Sequence, residues 1–506
     1  MSNHLFDAIR ASAGAGGAVF IETADGRRWT YGEALRVSGQ IASAIDVLGV
    51  RPGDRVAVQV EKSPLALLLY LACLRSGAVY LPLNTAYTLA ELDYFIGDAH
   101  PHLVIVSSKA RAGVEAIARS HGAIVETLDA DGGGSLMELA ADEQADFIDA
   151  ARGPDDLAAI LYTSGTTGRS KGAMLTHDNL LSNALALRDC WRVTPEDRLI
   201  HALPIFHTHG LFVATNVTLI AGSSMFLLPK FDPAEILCLM PRSTLMMGVP
   251  TFYVRLLQHE GLDRAAAAGM RLFVSGSAPL LAETHASFEE RTGHAILERY
   301  GMTETNMNTS NPYEGERKAG TVGFPLPGVS VRVSDPATGR VLEPGETGMI
   351  EIKGPNVFKG YWRMPEKTAA EFTKDGYFIS GDLGKFDEEG YLHIVGRGKD
   401  LVISGGYNIY PKEVESEIDR LDGVVESAVI GVAHPEFGEG VTAIVVTEPG
   451  AALTEKAVLD ALGDRLARYK QPKRIIFAQE LPRNTMGKVQ KNLLRDRYRD
   501  LYQKAP

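Results

Sequence analysis

The segment YTSGTTGRSKG, from Tyr162 to Gly172, constrains this chain more than any other stretch of its sequence. It follows an apolar run, Leu157 to Leu161, that predicts a buried strand, and it precedes a helix that Thr176 would cap. Glycines let the backbone turn tightly and direct N–H groups inward, while hydroxyls and a lysine add donors. The segment therefore predicts a loop that wraps nucleotide phosphates. A flexible linker is the alternative. A Walker A loop is excluded, because Lys171 is followed by glycine.

The surrounding pattern predicts an α/β fold. Apolar strands alternate with helices up to about residue 300, which is typical of parallel sheets covered on both faces. Short strands broken by turn signals from Val329 to Val395 predict antiparallel hairpins. We therefore predict a large N-terminal domain, residues 1–398, of parallel-sheet α/β subdomains plus an antiparallel β barrel-like part. A small mobile α+β domain, residues 399–506, would follow it.

Cysteine usage and hydropathy indicate a cytoplasmic protein without a membrane anchor. The three cysteines, Cys73, Cys190 and Cys238, are far apart, so neither a disulfide framework nor a structural zinc site is expected. Residues 1–17 lack the basic and apolar regions of a secretory signal. The longest apolar run, Leu65 to Cys73, is too short to span a bilayer and predicts a buried helix.

The charge of the chain is unevenly distributed. The formal net charge is −12, which argues against non-specific nucleic-acid binding. From Ala461 to Pro506, however, twelve Lys and Arg face four acidic residues, so this end carries +8 and the rest −20. Two interpretations remain open at this point. The basic end is either a solvated helix and tail, or it contains a site for a polyanion.

Four further segments follow the loop in an order that, taken with it, resembles the adenylate-forming superfamily of acyl- and aryl-CoA synthetases, peptide-synthetase adenylation domains and luciferases. They are ERYGMTE from Glu298 to Glu304, YFISGDLG from Tyr377 to Gly384, GRGKD from Gly396 to Asp400, and PRNTMGK from Pro482 to Lys488. In the second of these segments, Ser380 replaces the usual threonine. The resemblance implies a two-step reaction that uses ATP, Mg²⁺ and coenzyme A. A carboxylate first attacks the α-phosphate to give acyl-AMP and pyrophosphate, and a thiol then releases AMP.

The resemblance also implies a role for each matching residue. Glu304 and Thr163 would bind Mg²⁺, a hard ion that prefers oxygen ligands. The residues expected around the nucleotide are Thr163, Ser164, Gly165, Thr166, Thr167, Gly168, Arg169, Ser170 and Lys171 at the phosphates, Ser275, Gly276, Ser277, Glu298, Arg299, Tyr300, Gly301, Met302 and Thr303 beside adenine, and Asp382 and Arg397 at the ribose.

The C-terminal residues would serve both steps in turn. By resemblance, Lys488 is the catalytic cation, whose charge offsets the phosphate oxygens during adenylation. Lys399 lies at the hinge position, and rotation there would exchange Lys488 for the face formed by Ser404, Gly405 and Gly406, where coenzyme A would enter. The resemblance also implies control of Lys488 by a protein acetyltransferase and a deacetylase, because acetylation removes its charge.

The acid is suggested by two local features. The resemblance places His207 in the acyl pocket, as a catalytic and substrate-binding residue, with Ser277 and Met302 beside it. Arg255 lies in the segment GVPTFYVR, and an arginine is costly to bury without an anionic partner. The combination resembles malonate ligases, in which Arg255 would grip the second carboxylate bidentately. Methylmalonate is a further candidate substrate. Alternatively, Arg255 faces solvent on a helix.

Other functions stay open on the sequence alone. The rivals are a CoA ligase for another short or medium acid, an adenylation module that loads a carrier protein, and a nucleotide-binding module without activity. No carrier segment is fused to the chain. Pure binding would need neither Glu304 nor Lys488. Partners would therefore be small molecules, namely malonate, ATP and coenzyme A, rather than nucleic acid or membrane.

Overall fold

The computed structural model describes residues 2–163, 170–404, 407–463, 465–484 and 487–503. The chain forms two compact units. The first unit comprises Met1–Val331 with Ile352–Phe378, and the second comprises Arg332–Glu351 with Ile379–Pro506. The predicted functional boundary after residue 398 stays a prediction. The predicted fold class is confirmed, since parallel sheets, antiparallel sheets and a small C-terminal α+β part are all present.

A nine-stranded sheet forms one half of the first unit. Its central strands are parallel, and the strands at both ends pair antiparallel. In spatial order the strands are Phe324–Pro325, Asn306–Ser310, Leu297–Met302, Leu272–Ser275, Leu245–Gly248, Arg198–His201, Ser224–Leu227, Val19–Thr23 and Arg28–Thr30. The last two strands in this order form an antiparallel hairpin. The parallel strands are almost wholly buried, as expected when helices cover both faces.

A six-stranded sheet forms the other half of the first unit. Its strands in order are Ile124–Thr127, Leu103–Val106, Arg55–Gln59, Val79–Pro82, Leu157–Thr163 and Lys171–Thr176. All pairs are parallel except the last, which is antiparallel. As predicted, Thr176 caps a helix that follows the phosphate loop. Strand Lys171–Thr176, which was not predicted, lies between the loop and that helix.

Helices pack on these sheets because their apolar faces match buried strand residues. Thr30, Thr88 and Thr176 each form a capping box at a helix start. The α-helices of the first unit are His4–Ser12, Tyr31–Val47, Pro64–Ser76, Leu89–Ala99, Arg111–Ser120, Ser135–Ala141, His177–Cys190, Asn216–Ala221, Pro233–Leu239, Pro250–Leu257, Ala282–Thr292 and Pro365–Ala370. A π-helix spans His209–Thr215, and a 3₁₀ turn spans Met240–Arg242.

In its described residues, the second unit contains two sheets and three α-helices. The strands of the first of these sheets, in order, are Ser330–Ser334, Gly348–Lys353, Phe378–Phe386 and Leu392–Arg397. The other sheet has Tyr407–Ile409, Val402–Ser404, Gly438–Thr447 and Val424–His434 in order, and Arg474–Ala478 pairs parallel to Gly438–Thr447. The helices are Pro411–Ile418, Glu455–Leu462 and Lys491–Arg497, with a 3₁₀ turn at Gly398–Asp400. Among the described residues, no helix combines the length and the apolar character that crossing a bilayer requires.

Candidate functional site

The two ends of the phosphate loop are held together by strand pairing. Thr163 and Lys171 are paired across the antiparallel strands, and the Thr163 hydroxyl donates to the Lys171 carbonyl at 3.5 Å. The Tyr94 hydroxyl donates to the Ser170 carbonyl at 2.6 Å, which anchors the same end from a neighbouring helix. The loop residues Ser164, Gly165, Thr166, Thr167, Gly168 and Arg169 lie outside the described residues, so their predicted roles stay predictions.

A cluster of carboxylates and lysines lies beside this end of the loop. The Tyr361 hydroxyl is 3.0 Å from Glu304 Oε1 and 2.6 Å from Glu371 Oε2. Glu371 also accepts from Lys171 at 3.2 Å and forms an ion pair with Lys367 at 2.7 Å. Although burial opposes its charge, hydrogen bonds from Lys367 and Tyr361 and the charge of Lys171 hold the pKa of Glu371 below its usual value. Burial and the two carboxylates raise the pKa of Tyr361, so its hydroxyl keeps its proton.

The donor set at Glu304 fits Mg²⁺ held jointly with a substrate. Glu304 is 6% exposed and offers a carboxylate, the kind of ligand that Mg²⁺ prefers. Within the described ranges no group of three or more His, Cys, Asp or Glu side chains could form a metal cage. Magnesium in proteins commonly uses one or two carboxylates plus phosphate oxygens, so a single buried carboxylate near a phosphate loop is suited to it.

A cluster of polar side chains lies at the start of the π-helix. His209 is buried, and its Nδ1 is 3.2 Å from the Ser277 hydroxyl. Ser277 has a φ of +72°, a conformation that L-residues rarely adopt and that clusters at functional sites. Burial, assisted by the charge of Arg299, lowers the pKa of His209 well below its usual value, so its ring is neutral. Its Nε2 atom has no hydrogen-bond partner within the described part of the chain.

Arg299 lies close enough to His209 to influence its charge, on the strand that pairs with Leu272–Ser275. Ser275 and Glu298 are paired across parallel strands, which places Arg299 next to the turn that contains Gly276. A Cβ atom on Gly276 would lie 2.3 Å from the Arg299 Cζ atom, so the guanidinium packs directly against that backbone. Arg299 is 3% exposed, and its Nε and Nη2 atoms lack hydrogen-bond partners among the residues that the structure describes. Burial lowers the pKa of Arg299 to about 9.

The rest of the predicted adenine segment lies on the same strand. Glu298 is buried and accepts from the Gly320 N–H at 3.2 Å, and Tyr300 is also buried. Gly301 is required here because a Cβ would lie 2.0 Å from the Asn306 carbonyl oxygen. Met302 and Thr303 are half-buried at the strand end.

His207 and Arg255, both predicted for the acyl pocket, have different surroundings. His207 is half-buried, and its Nδ1 accepts from the His209 N–H at 3.3 Å, so it adjoins the polar cluster. Arg255 is exposed near the end of its helix, where its guanidinium lies 4.7 Å above the Phe231 ring. That position matches the solvent-facing alternative considered for Arg255. Its predicted contact with substrate stays a prediction.

In the second unit, the predicted ribose residues are paired with each other. Asp382 and Arg397 are partners across antiparallel strands, and their side chains form an ion pair at 2.7 Å. Asp382 is buried, and its N–H donates to the Ser380 hydroxyl at 3.0 Å. Ser380 thus supports Asp382 by a hydroxyl, the group that the usual threonine would also supply. An aspartate fixed in this way can accept from ribose hydroxyls.

The predicted hinge and thiol segments follow directly along the chain. Lys399 lies in the short 3₁₀ turn Gly398–Asp400, and burial lowers its pKa. Ser404 is buried at the end of the next strand. Gly405 and Gly406 lie outside the described residues. The hinge and coenzyme A roles therefore stay predictions.

Lys488 lies on a hairpin with a fixed backbone and an exposed side chain. The Asn484 N–H donates to the Lys488 carbonyl, and the Lys488 N–H donates to Asn484 Oδ1, both at 2.9 Å. Arg483 donates from Nη1 to the Gly487 carbonyl at 2.6 Å and forms an ion pair with Glu426. Desolvation raises the pKa of Glu426, although Arg483 opposes that shift. The hairpin is thus anchored by contacts of its backbone and of Arg483.

Three residues of these clusters were not singled out from the sequence. His209 lies two residues after His207 in the segment LPIFHTHG, and only the π-helix distinguishes the buried histidine from the half-buried one. Tyr361 and Glu371 carry no motif, and Tyr361 is 57 positions from Glu304, so only the fold brings them together.

Comparison with known proteins gives consistent matches along the chain. The AMP-binding enzyme family model matches residues 9–362, and that of the AMP-binding enzyme C-terminal domain matches residues 413–488. A feruloyl-CoA synthase of an Amycolatopsis species is 38% identical over 477 residues, which cover 94% of each protein. A malonate–CoA ligase of Arabidopsis thaliana is 35% identical over 520 residues, which cover 93% of this chain and 85% of that protein.

The solved structures include a nearer relative. The crystal structure of ATP-bound MatB from Rhodopseudomonas palustris is 62% identical and superimposes with a TM-score of 0.98. The match covers 99% of this chain and 100% of that one.

Proposed function

Because the chain belongs to the AMP-binding enzyme family and is an acid–CoA ligase, we propose that its acid is malonate, with methylmalonate as a further substrate. The products would be malonyl-CoA, AMP and pyrophosphate, formed through malonyl-AMP. Family membership supports ATP and coenzyme A as co-substrates. It does not choose the acid, since relatives named for feruloyl and malonyl substrates have similar identity to this chain.

The observation that carries the choice of malonate is the buried guanidinium of Arg299. A charged group that loses water costs several kcal/mol unless an opposite charge compensates it. No salt bridge to Arg299 occurs among the described residues, and two of its nitrogens have no partner there. A feruloyl or benzoyl group would leave the charge uncompensated, whereas the second carboxylate of malonate would accept two hydrogen bonds from it.

The neighbours of Arg299 support the same assignment. His209 Nε2 has no partner among the described residues and is held by Ser277, so the cluster offers a second nitrogen close to the cation. A neutral imidazole can donate from Nε2 while Nδ1 accepts from the Ser277 hydroxyl. These residues therefore present polar atoms to an anionic group. We assign Arg299, His209 and Ser277 to the distal carboxylate, with His207 adjoining them.

The remaining residues serve the phosphates and the transfer. In the proposed reaction, the phosphate loop and Lys171 bind the β- and γ-phosphates, and Asp382 accepts from the ribose. Lys488 stabilises negative charge at the α-phosphate while the substrate carboxylate attacks it. Bound Mg²⁺ would neutralise phosphate charge, with Glu304 and Thr163 as its protein-side residues. The thiol of coenzyme A, admitted beside Ser404, Gly405 and Gly406, then displaces AMP from the acyl carbon.

The test is AMP release from a panel of acids, with and without coenzyme A. We expect malonate to give the highest kcat/KM, methylmalonate a lower one, and acetate, butyrate, benzoate and ferulate values at least about a hundredfold lower, as an unpaired buried charge would cause. AMP release that requires an acyl-carrier protein rather than coenzyme A would favour a loading module. A preference for butyrate over malonate would refute the proposed substrate, and ADP release would refute the mechanism.

A further inference from the structure

Tyr361 has no role in the proposed reaction so far, yet its side chain contacts both the expected metal residue and the expected phosphate residue. We propose that Tyr361 is a positioning residue with two separable parts: its hydroxyl orients Glu304 for Mg²⁺, and its ring supports the Lys171 ammonium for the phosphates. The inference rests on the proposed function, in which Glu304 and Lys171 hold those two groups.

The first part of the proposed role concerns the Tyr361 hydroxyl, which lies between two carboxylates. The Tyr361 hydroxyl is within hydrogen-bond distance of Glu304 Oε1 and Glu371 Oε2, but it has one hydrogen to donate. Lys171 and Lys367 already compensate the charge of Glu371, which lessens its demand for that hydrogen. The hydroxyl thus bridges the two carboxylates, 2.6 Å from Glu371 Oε2 and 3.0 Å from Glu304 Oε1. Because the two lysines hold Glu371 in place, the bridging hydroxyl fixes the position of Glu304 Oε1. Such outer partners fix the orientation of a ligating carboxylate.

The ring contact involves the last residue of the phosphate loop. Lys171 Nζ lies 4.0 Å from the centre of the Tyr361 ring and 3.2 Å from Glu371. The face of an aromatic ring attracts an ammonium group, and more strongly where water is excluded. The Lys171 side chain is 15% exposed, so its ammonium is held against the ring rather than moving freely in solvent.

The local backbone keeps Tyr361 at this position. The Tyr361 N–H donates to the Thr368 hydroxyl at 2.9 Å. On either side, the Met174 N–H donates to the Gly360 carbonyl and the Trp362 N–H to the Gly172 carbonyl. The segment that contains Tyr361 is therefore hydrogen-bonded to the same strand that begins with Lys171. The ring also packs against Phe358 at 4.8 Å, so removing the hydroxyl would leave the ring in place.

The experiment measures ATP binding by titration calorimetry, without acid or coenzyme A, in EDTA and in saturating Mg²⁺. The ratio of the two affinities is called the magnesium advantage here. For Tyr361→Phe we expect the magnesium advantage to fall about tenfold, the usual effect of losing an outer partner, while the affinity in EDTA stays within about twofold. For Tyr361→Leu we expect the affinity in EDTA to fall as well, about fivefold, because the ring is lost.

Two controls separate this role from a general disturbance of the fold. Tyr31→Phe removes another buried hydroxyl, which donates to backbone carbonyls far from the cluster in sequence, and should change neither affinity. Glu371→Gln keeps Tyr361 and should leave the magnesium advantage within about twofold, since Glu371 competes for the hydrogen. A tenfold fall in Glu371→Gln would mean that the whole cluster collapses, and it would overturn the inference. Thermal unfolding of each variant is measured alongside.

Glu304→Gln separates the inference from the proposed function. If Glu304→Gln abolishes the magnesium advantage but Tyr361→Phe leaves it unchanged, the inference is wrong and the metal assignment stands. If Glu304→Gln itself leaves the advantage unchanged, Glu304 is not the metal residue and both fail. Neither outcome depends on which acid the enzyme uses, so a failed malonate assay would leave the inference standing.

Discussion

Arg299 in the first unit and Lys488 in the second, the two cations with central proposed roles, have opposite surroundings. Arg299 is sealed between strand ends, against the Gly276 backbone. Lys488 is exposed on a hairpin whose backbone is hydrogen-bonded to Asn484.

This difference in burial indicates different tasks: Arg299 selects the acid, and Lys488 catalyses its adenylation. A buried guanidinium lowers stability until an anion arrives, so its position selects which substrate restores the lost hydration. An exposed lysine keeps its hydration and costs the fold little, and it can therefore be moved to and from a reaction centre. We expect substitutions of Arg299 to change the choice of acid, and substitutions of Lys488 to change one step for every acid.

The largest effect is expected for Lys488→Ala. Loss of a charge that meets the phosphates only in the transition state should lower malonyl-AMP formation about a thousandfold. Thioester formation from supplied malonyl-AMP should change by no more than about threefold, because the lysine has left by then. Single-turnover assays of each half-reaction give the comparison. Equal losses in both steps would contradict a lysine that serves only adenylation.

Arg299→Met should have the next largest effect, and it should depend on the acid. We expect kcat/KM for malonate to fall about a hundredfold, since a buried charge pair is lost. Butyrate, in which an ethyl group replaces the second carboxylate, should improve relative to malonate because the site is then uncharged. The readout is AMP release with each acid, and the control is the wild-type ratio. A proportional loss on both acids would place Arg299 at the nucleotide, the role that the sequence predicted for it.

A smaller effect is expected for Arg483→Gln, which loosens the hairpin without altering Lys488. The variant removes the bond to the Gly487 carbonyl and the ion pair with Glu426. Adenylation should slow about fivefold, since a misplaced catalytic group lowers the rate, while thioester formation stays unchanged. Glu426→Gln retains the bond to Gly487 and should slow adenylation less. Slowing of both steps to the same degree would indicate unfolding of the hairpin instead.

Much of the fold follows from local sequence patterns. The buried helix predicted at Leu65 to Cys73 lies within helix Pro64–Ser76, because a continuous apolar run behind a proline in the first helical turn is a short-range signal. Strand Lys171–Thr176 was missed because Thr176 is a strong helix cap and directed the interpretation to the helix that follows. The π-helix has no periodic signature that distinguishes it from an α-helix.

The candidate site was only partly predictable for a different reason. Glu304, Asp382 and Lys488 lie in motifs whose residues are close in sequence. The cluster around Arg299 depends on which strands are neighbours, and a sequence pattern does not specify that order. Arg299 lay in a predicted segment, but its burial without a carboxylate is a property of tertiary packing.

Arg255→Ala is expected to have the smallest effect, and it tests whether an exposed arginine contributes to the choice of acid. An exposed arginine that stacks on Phe231 contributes little to either stability or substrate binding, so we expect kcat/KM for malonate to change by no more than about twofold. The sequence instead predicted a much larger loss on malonate than on acetate or butyrate, with Arg255 as the carboxylate clamp. The two expectations differ most in the ratio of kcat/KM for malonate to kcat/KM for butyrate, which is measured in parallel for Arg299→Met. If the malonate-to-butyrate ratio falls steeply in Arg255→Ala but not in Arg299→Met, helix Pro250–Leu257 turns its arginine toward the substrate on binding. Burial in the ligand-free fold would then fail to identify the arginine that selects the acid.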